Sequence, residues 1–131
     1  MQRETLGVPQ YPRVILVEDD GMALMWAKDS LSMAGSEVIL ERETLDEVLA
    51  WASKNPGKRA DVIVLGGQFP SGLKVNEVRE AERAIRKAFS GVRIVAFSFD
   101  RPPIGDERVS KADFYQRKID LGSVVREISR N

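Results

Sequence analysis

Short apolar runs and helical stripes alternate along this chain, and the alternation predicts an architecture. Arg13–Val17 reads RVILV, a continuous apolar stretch flanked by charge, and residues 61–65 (DVIVL) and 92–97 (VRIVAF) repeat it. Apolar runs of this length, rich in β-branched residues, predict parallel strands covered on both faces, because a strand with one wet face alternates instead. Residues 38–40 predict a shorter strand, and 114–117 are assigned as a fifth. Between the runs, apolar positions recur every three to four residues. Residues 22–34 place Leu24, Ala27, Leu31 and Ala34 on one helical face and stop at Gly35. Residues 44–54 open on Thr44 and Glu47, the spacing of a capping box, and carry Leu45, Val48, Leu49 and Ala52 as a stripe. Residues 75–89 turn Val78, Ala81, Ile85 and Ala88 or Phe89 inward, and residues 121–128 offer Leu121, Val124, Val125 and Ile128.

This order predicts an α/β fold, a doubly wound parallel sheet with helices on both faces. Such sheets place their functional site outside the carboxyl ends of the strands. Pro102 and Pro103 remove backbone donors and forbid a long fourth helix, so a loop or a helix of one or two turns is expected around 105–111. Residues 1–12, with Gly7, Pro9 and Pro12, read as a tail before one domain over 13–131.

Composition narrows the chemistry. The 131 residues suit one domain, and 20 Lys and Arg balance 20 Asp and Glu, which argues against a broad footprint for nucleic acid or anionic lipid. There is no cysteine, hence no disulfide, thiolate nucleophile or Cys zinc site, and no histidine, hence no proton shuttle near neutral pH. No apolar run approaches the roughly 20 residues that span a bilayer, and the N-terminus has no signal-peptide core, so a cytoplasmic protein is expected. An enzyme is not expected.

The strand ends carry the candidate site. Glu18, Asp19 and Asp20 follow the first strand, Gly66 to Pro70 the third, Ser98 ends the fourth, and Lys118 follows the assigned fifth. In this order, over residues 13–129, the chain resembles the receiver domain of bacterial response regulators. The resemblance implies a flavodoxin-like five-stranded sheet in the order 2-1-3-4-5. It also implies Mg²⁺ ligands at Glu18 and Asp19, a switch hydroxyl at Ser98, a switch aromatic at Tyr115 and a phosphate-sensing lysine at Lys118. A working receiver needs a carboxylate to attack phosphorus, a divalent ion to neutralise the phosphoryl charge, and a lysine beside it.

The attacking aspartate of the family stands four residues before the loop proline, and here that position is Gly66. No acyl phosphate forms on glycine. Asp61 begins the strand, at its opposite end, and Ile119 replaces the family's proline after the lysine. The expectation is a degenerate receiver, a pseudo-receiver, with no catalytic residue and no cofactor.

Each candidate has a plainer alternative. Glu18, Asp19 and Asp20 hold residual Mg²⁺ or cap a helix. Lys118 senses an anion or forms an ion pair with Glu18 or Asp19. The loop from Gly66 to Gly72 cradles an anion or simply turns. Met22, Trp26 and Met33, offset from the Leu24 stripe, form a partner surface or belong to a wide buried face, and Trp51 is equally open. The resulting expectation is a stand-alone signalling protein acting by phosphorylation-independent binding to a protein partner (a kinase, a phosphotransfer protein or another signalling protein), with no nucleic acid, no membrane and room for a homodimer. The alternatives are a small-ligand or anion sensor in the strand-end crevice and a receiver phosphorylated at another residue.

Overall fold

The computed structural model describes residues 11–66, 75–102 and 104–130. Its elements run β1 (Arg13–Val17), α1 (Gly21–Met33), β2 (Glu37–Arg42), α2 (Leu45–Lys54), β3 (Val62–Leu65), α3 (Val75–Ala88), β4 (Arg93–Ser98), β5 (Glu107–Ser110), α4 (Lys111–Tyr115) and α5 (Leu121–Ser129). The strands form one five-stranded sheet in the order β2-β1-β3-β4-β5, every neighbouring pair parallel. That is the doubly wound arrangement the alternation of elements predicts.

The pleat divides the core between two faces. Ile15, Val17, Ile63, Leu65 and Ile94 point to one side, where Val48 of α2 and Val78 and Ile85 of α3 cover them. Val14, Leu16, Val62, Val64, Val95 and Phe97 point to the other, under Ala27 and Leu31 of α1 and Leu121, Val125 and Ile128 of α5. Central strands buried on both faces have no polar position to spare. This is why β1, β3 and β4 read as unbroken apolar runs.

The helix boundaries follow local chemistry. Asp20 caps α1 by accepting from Ala23 N at 2.8 Å, and Gly35, at φ +89°, turns the chain out of it. Thr44 and Glu47 form the expected capping box of α2. Asp61 lies at the start of β3, where its carboxylate accepts the Arg13 N–H at 2.7 Å.

Two expectations are corrected. Residues 114–117 are not a strand: Phe114 and Tyr115 lie on α4, and β5 is Glu107–Ser110. Where a loop or short helix is expected around 105–111, residues 107–110 are instead β5; the fourth helix is short, as expected, but follows that strand. The connection from β4 carries Ile104 into the α2–α3 side of the core. Ser110 explains the shift, because its hydroxyl accepts from Asp113 N at 3.3 Å and starts a helix at Lys111. β5 lies at a sheet edge, and only Val109 of its four residues is buried.

Candidate functional site

Parallel strands put the ends of β1, β3, β4 and β5 on one rim, and Glu18 reaches across it. Glu18 N donates to Arg42 O at 3.0 Å, which fixes the backbone just beyond β1. The side chain then turns over the end of β3. Glu18 Oε2 accepts from Asp20 N at 3.0 Å, and Glu18 Oε1 lies 2.8 Å from Lys111 Nζ. Both side chains are almost wholly out of water, at 0% and 6% exposure. The Lys111 contact is an ion pair outside hydrogen-bond geometry, so charge alone compensates the buried Oε1.

Gly66 makes this crossing possible. It is buried, and its N–H donates to Val17 O at 2.7 Å. A Cβ placed on it would overlap Glu18 Oε1 outright and would stand 3.1 Å from Glu18 Cδ and 2.9 Å from Val17 O. The carboxylate of Glu18 therefore occupies the space of a side chain at 66. Lys111 Nζ also faces two rings, 5.2 Å from the centre of Phe97 and 5.9 Å from that of Phe99.

The chain matches no protein-family model and no curated protein. Solved structures do match. A response regulator from Thermotoga maritima superposes with a TM-score of 0.69 at 16% identity, covering 92% of this chain and 99% of its own. The receiver domain of the response regulator NarL from Mycobacterium tuberculosis gives 0.70 at 16% identity, over 94% and 99%. The response regulator domain of Thermotoga maritima CheB gives 0.66 at 18%, over 92% and 98%.

The fold is that of a response-regulator receiver domain.

On this receiver fold the lysine beside the strand-end carboxylate is Lys111, and the assignment of that place to Lys118 is corrected. Lys118 lies seven positions on, exposed, in the connection between α4 and α5. The error follows from the misplaced fifth strand. The signal that could have found Lys111 is Ser110 with Asp113, a helix-start spacing that ends the strand one residue before it.

Among the described residues, the side chains at the strand ends do not fit a Mg²⁺ site. Glu18 spends both oxygens on Lys111 and Asp20 N, Asp20 spends Oδ2 on the α1 cap, and Gly66 supplies no oxygen from a side chain. Among the described residues no group of three or more His, Cys, Asp or Glu could hold a metal ion. Asp19 is exposed and lines, with Gly66 and Glu43, a separate cavity beside α2 and α3. Ser98 is buried and donates to Asp100 O at 2.5 Å. The glycine-loop reading at 67–72 lies outside the described residues.

The stripe on α1 resolves in favour of exposure. Met22 is 58%, Trp26 42% and Met33 90% exposed, and Met25, which the sequence reading missed, is 55% exposed. Trp51 instead packs partly buried against the core. Tyr115 meets Trp26 edge to face at 5.2 Å and Phe99 at 5.9 Å, so an aromatic row joins α1 to the end of β4. Burial raises the Tyr115 pKa above the ordinary tyrosine value, helped by the nearby Asp20 and Glu18 charges. Beside this row, Trp26, Met33, Tyr115, Arg117 and Lys118 line a groove of about 630 Å³ between α1 and the α4–α5 connection. Arg117 sits in it at φ +61°. Phe99 is also 61% exposed; one aromatic after a strand gave no periodic signal.

Proposed function

We propose that this protein is a receiver-like signalling module of a two-component type pathway that acts by binding another protein, without an aspartyl-phosphate cycle. What carries the reading is Glu18: a buried carboxylate, already paired with Lys111, fills the room in which a side chain on Gly66 would stand. An attacking group must be reachable by its phosphodonor, and this carboxylate is sealed from water. The output surface is the exposed Met22, Met25, Trp26 and Met33 face of α1 with Tyr115 beside it. Flexible methionines around an aromatic anchor suit the apolar face of a partner helix.

The decisive experiment has two arms. Intact-mass measurement after treatment with acetyl phosphate and Mg²⁺ shows no added phosphate; a phosphorylated species overturns the reading. A pull-down from the native host retains a protein that Trp26→Ala and Tyr115→Ala release. Retention by both variants removes the α1 surface from the proposal.

The groove supports a second reading, a sensor for a small aromatic anion, because Lys118 and Arg117 stand in it beside Trp26 and Tyr115. Thermal stabilisation by such a ligand, lost on Lys118→Ala, is its test.

A further inference from the structure

We propose that Glu18 is a positioning residue: its carboxylate, delivered from β1, takes the place of a side chain on Gly66 of β3, and by holding Lys111 it sets the aromatic row that ends at Trp26. The inference holds whether or not a partner docks.

Two observations meet here. The first is exclusion. A Cβ on Gly66 would overlap Glu18 Oε1 and approach Glu18 Cδ to 3.1 Å, so the carboxylate of Glu18 and a side chain at 66 cannot share this end of the sheet. The carboxylate that meets the lysine at 2.8 Å comes from the residue after β1, and none comes from position 66 at the end of β3. The second is continuity. Lys111 Nζ stands 5.9 Å from the Phe99 ring centre, Phe99 stands 5.9 Å from Tyr115, and Tyr115 stands 5.2 Å from Trp26. Phe97 is fixed in the core and gives the ammonium a rigid second face at 5.2 Å.

Charge links the two. A buried ammonium stays buried only while an opposite charge compensates its lost hydration. With Glu18 in place, Lys111 is pinned between a carboxylate and two ring faces. With the charge removed, its flexible stem carries the ammonium toward water. Phe99, exposed and held by Lys111 and Tyr115, then loses one support, and the change emerges at Trp26 on the surface.

The test uses Trp51→Phe as background, leaving Trp26 as the single fluorescent tryptophan of the chain's two. Gly66→Asp and Glu18→Ala each lower the thermal midpoint and shift the Trp26 emission. The double variant, in which the introduced carboxylate faces Lys111 in the room Glu18 has left, recovers most of both losses. A remainder stays, from the 2.9 Å approach to Val17 O. Glu18→Gln keeps the shape without the charge, so it folds and still shifts the Trp26 emission, which a purely space-filling role would not do. A double variant whose loss equals the sum of the singles overturns the proposal, as does an unchanged Trp26 signal in Glu18→Gln. Where Gly66→Asp does not fold, Gly66→Ala with and without Glu18→Ala makes the same comparison: relief supports the exchange of place, and undiminished loss refutes it.

Discussion

Lys111 Nζ lies 2.8 Å from Glu18 Oε1, and neither side chain has appreciable contact with water. Removing Lys111 strands the short Glu18 carboxylate in a low-dielectric site. Lys111→Met is therefore expected to cost about 3–5 kcal/mol, the range for a broken buried pair. Lys118→Met, at an exposed position, is expected to change stability by less than about 0.5 kcal/mol. Urea denaturation of both variants checks the assignment, and the reverse order of losses would restore Lys118 to the strand-end site.

The contrast between these lysines shows what local pattern can and cannot carry. β1, β3 and β4 were legible because burial on both faces leaves only apolar residues between their ends. β2 was found in part: its middle, Val38 to Leu40, is apolar, while Glu37, Glu41 and Arg42 at its ends are not. β5 was missed because an edge strand of four residues with one buried side chain has no period to read. The loss of a carboxyl at Gly66 was visible in the chain. That Glu18 fills the gap was not, since it depends on a contact across the mouth of β3 to a residue far along the sequence. The Thr44 capping box, by contrast, is contained within four residues and was readable in full.

Asp106 secures the entry into β5 against the start of β4. Its Oδ2 accepts Ile94 N at 2.8 Å, its Oδ1 accepts Arg86 Nη2 at 3.1 Å, and its own N–H donates to Ile94 O at 2.8 Å. Asp106→Ala leaves the Ile94 N–H without that acceptor at the start of β4. A loss of about 1–3 kcal/mol is expected, and amide exchange should quicken at Ile94 before it does at Ile63. Equal protection of both amides in the variant would show that the carboxylate does not hold the strand.

Asp120 ties α5 to α1 and gives the protein an acid-sensitive joint. Burial pushes its pKa up, but bonds from the Ser123 and Ser30 hydroxyls and from backbone N–H groups outweigh burial and bring it below the ordinary value of 3.8. A depressed folded value means the carboxylate stabilises the fold above the unfolded pKa. That contribution is lost as pH falls through the folded one. Asp120→Ala should cost about 1 kcal/mol at neutral pH, as for a lost N-cap, and should flatten the fall in stability below about pH 4. Thermal midpoints measured from pH 7 down to acid check it; an unchanged acid slope would mean that other carboxylates set it.

Gly122 yields a prediction whose sign opposes simple helix propensity. It sits in the first turn of α5, where alanine is ordinarily about 1 kcal/mol better than glycine. Here its N–H donates to Ser30 Oγ at 2.9 Å, and a Cβ would overlap Ser30 O and come within 2.8 Å of Ala34 Cβ. Helix backbone cannot yield as a flexible side-chain tip can, so α5 would have to move off α1. Gly122→Ala is expected to destabilise by about 1–3 kcal/mol, the cost of overpacking. Because Ser30 and Asp120 also line the groove beside Trp26, the same variant should alter the near-ultraviolet circular dichroism of that tryptophan in the Trp51→Phe background. A raised thermal midpoint would show that propensity outweighs contact here, and that the two helices are free to part.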